Sequence, residues 1–492
     1  MWLTQLLERN RQCFPDRTAL ADEHRSLTWA QFDERTRRLA LGLAGLGIER
    51  GDRVAVLAKD RVEVLESYFA LARLGALFVP LNHSLTGPEV AGIVERVGAV
   101  AVLGESALLD QHPRLPASVR IRVAFDKPEF EALGSLAPDR ELPPPADTDP
   151  VAVLHTSATT GQAKGVTVDS ASFRAIALGW LAVARPTDDI VMVNCCPLYH
   201  GSMVVSLTYM AAGATVVLMP GFTPQRALAA VQEHRATHIW MVPQMLRFML
   251  QAKGMDTTDL SSLREILYGA APMPLDVYAE ATRRLGCGFR QVYGMTEVGG
   301  PFVTLGPDEH PAPGQVTARI PCGRVIPGMS ARAADAAGRT LPTGEIGEIV
   351  VRGPGVMQGY WNDPEATREI SPDGWIRTGD LGFVDEHGRI HLVDRTKDLI
   401  LRAGQNVYPS EIERALMTHP AVRDAAVVGI PDEDYGEVPL AYVVAEPGTA
   451  ARELQAHVAQ RLAPYKRPRR VEFIEQVPRN PAGKIIKKLL RG

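Results

Sequence analysis

Thr156 to Gly165 reads TSATTGQAKG, a run of small hydroxyl side chains and glycine closed by a lysine and a second glycine. Such a loop can wrap a polyphosphate. Backbone N–H groups of a tight turn point inward, Ser157, Thr159 and Thr160 add hydroxyl donors, Gly161 lets the chain approach closely, and Lys164 supplies a positive charge. On its own the run serves equally well as a polar turn after the strand-like VAVLH of Val151 to His155. It is not a Walker P-loop, which needs two glycines at fixed spacing ahead of Lys and Ser/Thr. Further along, GWIRTGD ends on Asp380. A carboxylate there is suited to accept hydrogen bonds from both hydroxyls of a ribose, and equally to start a turn before a hairpin.

The elements that must position these groups alternate along the chain. DRVAVLA, VEVLESYFALARLGA and LFVPLN form one strand–helix–strand series, and ATVVLM, PQRALAAVQEHR and THIWMVP another. That alternation predicts parallel sheets covered by helices, an α/β architecture. ELPPPADTDP, Glu141 to Pro150, is too rich in proline for an element and reads as a connector. After Asp380 the pattern changes to a hairpin, GFVDEHGRIHLVDR, turning at Asp385 to Gly388. A helix in NVYPSEIERALMTHP, a strand VRDAAVVGIPD and a basic tail follow. The expected organisation is a large N-terminal domain of parallel-type sheets layered with helices, with a β-rich subdomain, over residues 1–394. A boundary at 395–398 leads to a small α+β C-terminal domain at 399–492.

Composition narrows the partners. The 492 residues are 46% hydrophobic, enough for several buried layers. A formal net charge of −4 argues against nucleic acid as partner of the whole molecule. Arg461 to Gly492 nevertheless holds ten Lys/Arg against two Asp/Glu, which suits a phosphorylated ligand or a solvated face. Cys13, Cys195, Cys196, Cys287 and Cys322 include no C-x-x-C, so neither a zinc site nor a disulfide framework is indicated, and a reducing cytoplasm fits. Trp2, Leu3, Leu6 and Leu7 share one helical face, unlike a secretory signal. No Lys, Arg, Asp or Glu occurs between Asp189 and Arg226, but Asn194, Pro197, Gly201, Gly213 and Pro220 cut the stretch into strand, loop and helix lengths. That reads as α/β core and not as a transmembrane segment.

TSATTGQAKGV is followed, in order, by YGAAPM (Tyr268 to Met273), YGMTE (Tyr293 to Glu297), GWIRTGD, DRTKDLILRAGQNVYPSEIE (Asp394 to Glu413) and PRNPAGKI (Pro478 to Ile485). This series resembles the adenylate-forming superfamily of acyl-CoA synthetases, peptide-synthetase adenylation domains and luciferases. Leu27 to Val56 is similar too, so the resemblance covers nearly the whole chain. It implies that Thr156, Ser157, Thr159, Thr160, Gly161 and Lys164 hold phosphates, that Glu297 carries Mg²⁺, and that Thr296 meets the α-phosphate. Tyr293 and Gly294 lie beside adenine, Gly269, Ala270 and Ala271 let the purine rest against backbone, and Asp380 and Arg395 hold ribose. Lys484 matches a mobile lysine that bridges carboxylate and phosphate, Lys397 occupies the hinge of a mobile C-terminal domain, and Gly404 and Gln405 lie in a loop along the pantetheine tunnel. The acyl pocket draws on His200, Trp240, Gly269, Val298 and Gly299.

Two departures stand out: Ala158 replaces the usual glycine of the phosphate loop, and AGQN, with Ala403 and Gln405, stands where many relatives have GGEN. The activity so implied is a carboxylic acid–CoA ligase using ATP, Mg²⁺ and CoA, which forms an acyl adenylate and then a thioester. The alternatives are an adenylating enzyme that loads a carrier protein and a non-catalytic nucleotide or acyl-CoA sensor on the same fold. The expected partners are a small carboxylic acid, ATP and CoA, with a homodimer left open.

Overall fold

The computed structural model describes residues 1–136, 142–156, 164–199, 201–312, 315, 319–479 and 485–491. The chain divides into two compact units, Met1–Ser330 with Val351–Ile376, and Ala331–Val350 with Arg377–Gly492.

In the first unit the strands Gly288–Met295, Glu265–Gly269, His238–Met241, Val191–Asn194, Thr215–Leu218 and Thr18–Ala21 lie side by side and parallel. Gly300–Leu305 and Ser26–Thr28 join antiparallel near the two edges. EILYG and HIWM are buried at every residue, as strands covered on both faces must be. Helix Pro224–Glu233 shows how a cover element is set: Thr223 caps it by accepting from the Arg226 N–H, and Ala227, Leu228 and Val231 form its buried stripe. They pack with Val193, Val217, Ile239 and Ile266 in one core. The uncharged stretch resolves into strand Val191–Asn194, helix Ser202–Ala211 and strand Thr215–Leu218. Among the described residues no helix is long and apolar enough to cross a membrane.

A second sheet of the same unit runs Gly359–Tyr360, Gly165–Asp169, Pro150–His155, Leu77–Leu81, Arg53–Leu57, Ala101–Gly104 and Ile121–Ala124. Helix Val62–Leu74, buried along almost its whole length, lies between two of these strands in sequence and ends on Gly75 at φ 78°.

The second unit contains the hairpin of Ile376–Val384 and Ile390–Arg395, whose turn closes through the Asp385 N–H to the Arg389 carbonyl. A further sheet runs Gln405–Val407, Ile400–Arg402, Gly436–Ala445 and Val422–Asp432, with Arg470–Phe473 parallel to Gly436–Ala445. Helices Pro409–Met417 and Ala451–Ala459 cover one face through Ile412, Leu416, Leu454 and Val458. The expected α/β body and α+β C-terminal part are both present. Compactness groups residues 331–350 with 377–492, whereas the sequence pattern placed the divide at the hinge.

Candidate active site

The phosphate-loop candidate springs from a hairpin neck. Pro150–His155 pairs antiparallel with Gly165–Asp169, His155 faces Gly165, and the Thr156 N–H donates to the Lys164 carbonyl at 3.2 Å. Ser157, Ala158, Thr159, Thr160 and Gly161 lie outside the described residues, as do His200 and Lys484. Below the neck, burial pushes the His155 imidazole down to about 4, with Arg96 adding to the effect, so it is neutral near pH 7.

Lys164 is exposed, and its Nζ lies 4.9 Å from the centre of the Tyr360 ring, a cation–π distance. The Tyr360 hydroxyl donates to Glu297 Oε1 at 2.9 Å. Glu297 is 8% exposed and belongs to the single turn Thr296–Val298 that follows strand Gly288–Met295. Gly299, at φ 64°, ends that turn, and a Cβ there would stand 2.7 Å from the Gly355 carbonyl oxygen. Among the described residues Glu297 forms no ion pair, and Tyr360 gives its only side-chain hydrogen bond. A buried carboxylate without a counter-charge suits a cation. No group of three or more His, Cys, Asp or Glu that could cage a metal occurs among the described residues. The one buried carboxylate of Glu297 is what Mg²⁺ takes from a protein, since that ion binds one or two carboxylates and completes its shell with water and phosphate.

The remaining first-unit candidates cluster at the C-terminal ends of the parallel strands, where open α/β sheets receive ligands. Gly269 ends its strand against Val292 and Trp240: a Cβ would meet the Val292 carbonyl oxygen at 2.4 Å and the Trp240 ring at 3.2 Å. Ala270 follows at φ 64°, starting the loop that carries Ala271. Trp240 is 5% exposed, and its indole N–H finds no partner among the described residues. Tyr293 packs on Phe302 at 5.1 Å between ring centres, and the ladder slips between Tyr293 and Gly294. Val298 is fully buried.

In the second unit Asp380 and Arg395 are cross-strand partners, joined by an ion pair of 3.3 Å. Lys397 sits exposed on the turn Thr396–Asp398, and its ammonium titrates below the ordinary lysine range because of desolvation first and neighbouring Arg395 second. Gly404 and Gln405 belong to the tight hairpin between Ile400–Arg402 and Gln405–Val407. Tyr360 is the one residue of this geometry that spacing did not mark: its partners lie far off in sequence, and only the fold brings them together.

The family model for AMP-binding enzymes matches residues 7–361, and that for the AMP-binding enzyme C-terminal domain matches 411–484. A fatty acid–[acyl-carrier-protein] ligase, ScoC of Streptomyces coeruleorubidus, is 37% identical over 99% of this chain and 96% of its own length. The feruloyl-CoA synthase of an Amycolatopsis species is 37% identical over 97% of this chain and 96% of its own. Among solved structures, the o-succinylbenzoate CoA synthetase of Bacillus subtilis with ATP and magnesium superposes with a TM-score of 0.86 at 30% identity, covering 99% of this chain and 98% of that one.

Proposed function

The chain belongs to the family of AMP-binding enzymes, and from that membership we propose that it is an ATP-dependent carboxylic acid–CoA ligase. The observation that carries the reading is that Tyr360 contacts both Lys164, through its ring, and Glu297, through its hydroxyl: a cation at the neck of the phosphate loop and a buried carboxylate that forms no ion pair among the described residues.

In the first half-reaction a substrate carboxylate oxygen attacks the α-phosphorus of ATP and pyrophosphate leaves. Two anions must be brought together, so cations do the work and no nucleophilic side chain is required. Lys164 with the loop hydroxyls holds the outgoing phosphates, and Thr296 contacts the α-phosphate. Glu297 would hold Mg²⁺, which when bound offsets charge on the phosphates. Asp380 accepts from ribose hydroxyls with Arg395 beside it, and Lys484 bridges carboxylate and phosphate. In the second half-reaction the CoA thiol attacks the acyl carbonyl and AMP leaves, with Lys397 as pivot of a mobile C-terminal domain and Gly404 and Gln405 along the thiol arm. Trp240, Gly269, Val298, Gly299 and His200 wall the acyl group. A cytoplasmic location goes with this chemistry.

A carrier-protein thiol is the second reading, favoured by the 37% identity to the acyl-carrier-protein ligase over 99% of the chain. Incubation with ATP, Mg²⁺ and a panel of aryl, cinnamic-type and C2 to C16 acids, with either CoA or a phosphopantetheinylated carrier protein, separates the two. AMP release with acyl-CoA formation supports the CoA ligase. Acyl transfer to the carrier protein alone establishes the second reading.

A further inference from the structure

Tyr360 is 9% exposed and sits on the two-residue strand Gly359–Tyr360, which pairs antiparallel with the strand that leaves the phosphate loop. The Trp361 N–H donates to the Gly165 carbonyl at 2.7 Å, and the Gln358 N–H to the Thr167 carbonyl at 2.9 Å. On the other side the Met357 N–H donates to the Glu297 carbonyl at 2.9 Å. The five residues 357–361 therefore hold the backbones of both chemical elements at once. The Tyr360 side chain then meets both functional groups, its hydroxyl on Glu297 and its ring beneath Lys164.

The consequence is electrostatic. A lysine and a glutamate in reach of each other would pair and neutralise one another, and neither would then be free for a ligand. Among the described residues Lys164 and Glu297 form no ion pair with each other; each meets Tyr360 instead, the lysine at its ring and the carboxylate at its hydroxyl. Phenylalanine could supply the ring and serine a hydroxyl, but tyrosine supplies both at this span.

We propose that Tyr360 is a positioning residue of the adenylation half-reaction: its hydroxyl orients the Glu297 carboxylate toward a divalent cation while its ring holds the Lys164 ammonium in a cation–π contact, available to phosphate. The inference rests on the ligase reading of the same site. It requires that the two functions of Tyr360 be separable.

The test is calorimetric titration of the full chain with α,β-methylene-ATP, with and without Mg²⁺, on the parent, Tyr360→Phe and Tyr360→Leu, alongside acid-dependent pyrophosphate exchange. Tyr360→Phe should lose about tenfold of the affinity gain that Mg²⁺ brings, the worth of a hydrogen bond to a charged group, with metal-free affinity within about twofold of the parent. Tyr360→Leu should lose that gain and also about three- to fivefold of metal-free affinity, the worth of the cation–π contact. Full retention of the Mg²⁺-dependent gain in Tyr360→Phe overturns the proposal, as does a loss of metal-free affinity in Tyr360→Phe. If Tyr360→Leu fails to fold, Tyr360→Phe decides alone. Absence of exchange with every acid in the parent would defeat the ligase reading and leave the calorimetric comparison standing.

Discussion

Asp60 is a carboxyl 7% exposed that accepts one hydrogen bond, from the Leu198 N–H at 2.9 Å, and forms no ion pair among the described residues. Burial raises its pKa to about 8, against which the Leu198 bond works only in part. A folded-state pKa above the unfolded one means that the group's contribution to stability is fully present below the ordinary carboxylate value and is lost as pH rises toward 8. Asp60→Asn keeps an acceptor for Leu198 and removes the titration. The variant should therefore melt higher than the parent, by a margin that widens between about pH 4 and pH 8 and is level above, as thermal melts across that range will show. A margin independent of pH would mean that the carboxyl is ionised throughout. At this scale the sequence nominates candidates where few residue types can do the work: Lys164, Glu297, Asp380 and Arg395 each sit in a short run whose chemistry is narrow. Tyr360 was not, since its hydroxyl partner is 63 residues away and only the edge-strand pairing brings the two together.

Strands and helices were legible because their periodicities differ. THIWMVP, NVYPSEIERALMTHP and VRDAAVVGIPD contain the elements His238–Met241, Pro409–Met417 and Val422–Asp432. Turn conformation was less so. Concern about a missing glycine centred on Ala158, which lies outside the described residues, while Ala403 is held at φ 50° with Gly404 at φ 78°. Arg402 faces Gln405, so Ala403 and Gly404 form a two-residue hairpin loop with positive φ at both positions, the type I′ requirement. Alanine there costs about 1–2 kcal/mol in backbone strain, and glycine would return about 0.4–1 kcal/mol through the unfolded chain. Ala403→Gly should thus stabilise by about 0.5–1 kcal/mol, measured by urea unfolding. An unchanged or lower midpoint would show that the turn is already relaxed.

The neighbouring turn Thr396–Asp398 is gripped by Arg491, which donates to the Lys397 carbonyl at 3.3 Å and to Asp398 Oδ1 at 3.0 Å. If Lys397 is the pivot, Lys397→Pro fixes φ there without touching the phosphate site. Single-turnover assays should then show acyl adenylate forming at the parent rate and accumulating. Thioester formation at the parent rate would place the pivot elsewhere.

For the whole molecule, length, hydrophobic content and the ordered motifs already implied a multilayered α/β body with a separate C-terminal part. The grouping of residues 331–350 with 377–492 was not readable, because it depends on strands that pair across a long excursion of the chain, Gly347–Arg352 lying beside Ile376–Val384. The strong negative balance of the chain before Arg461 and the basic tail after it are a property of the sequence alone, and they put positive charge where Lys484 is found. The central claim is that this molecule joins a carboxylic acid to AMP with Glu297 as the metal carboxylate. The direct measurement is exchange of labelled pyrophosphate into ATP, run over the acid panel with the parent and Glu297→Gln. The account predicts exchange that depends on both acid and Mg²⁺ in the parent and falls by about 10²- to 10³-fold in Glu297→Gln, as for loss of a group that stabilises transition-state charge. Binding of ATP without exchange for any acid, or exchange undiminished in Glu297→Gln, would contradict it.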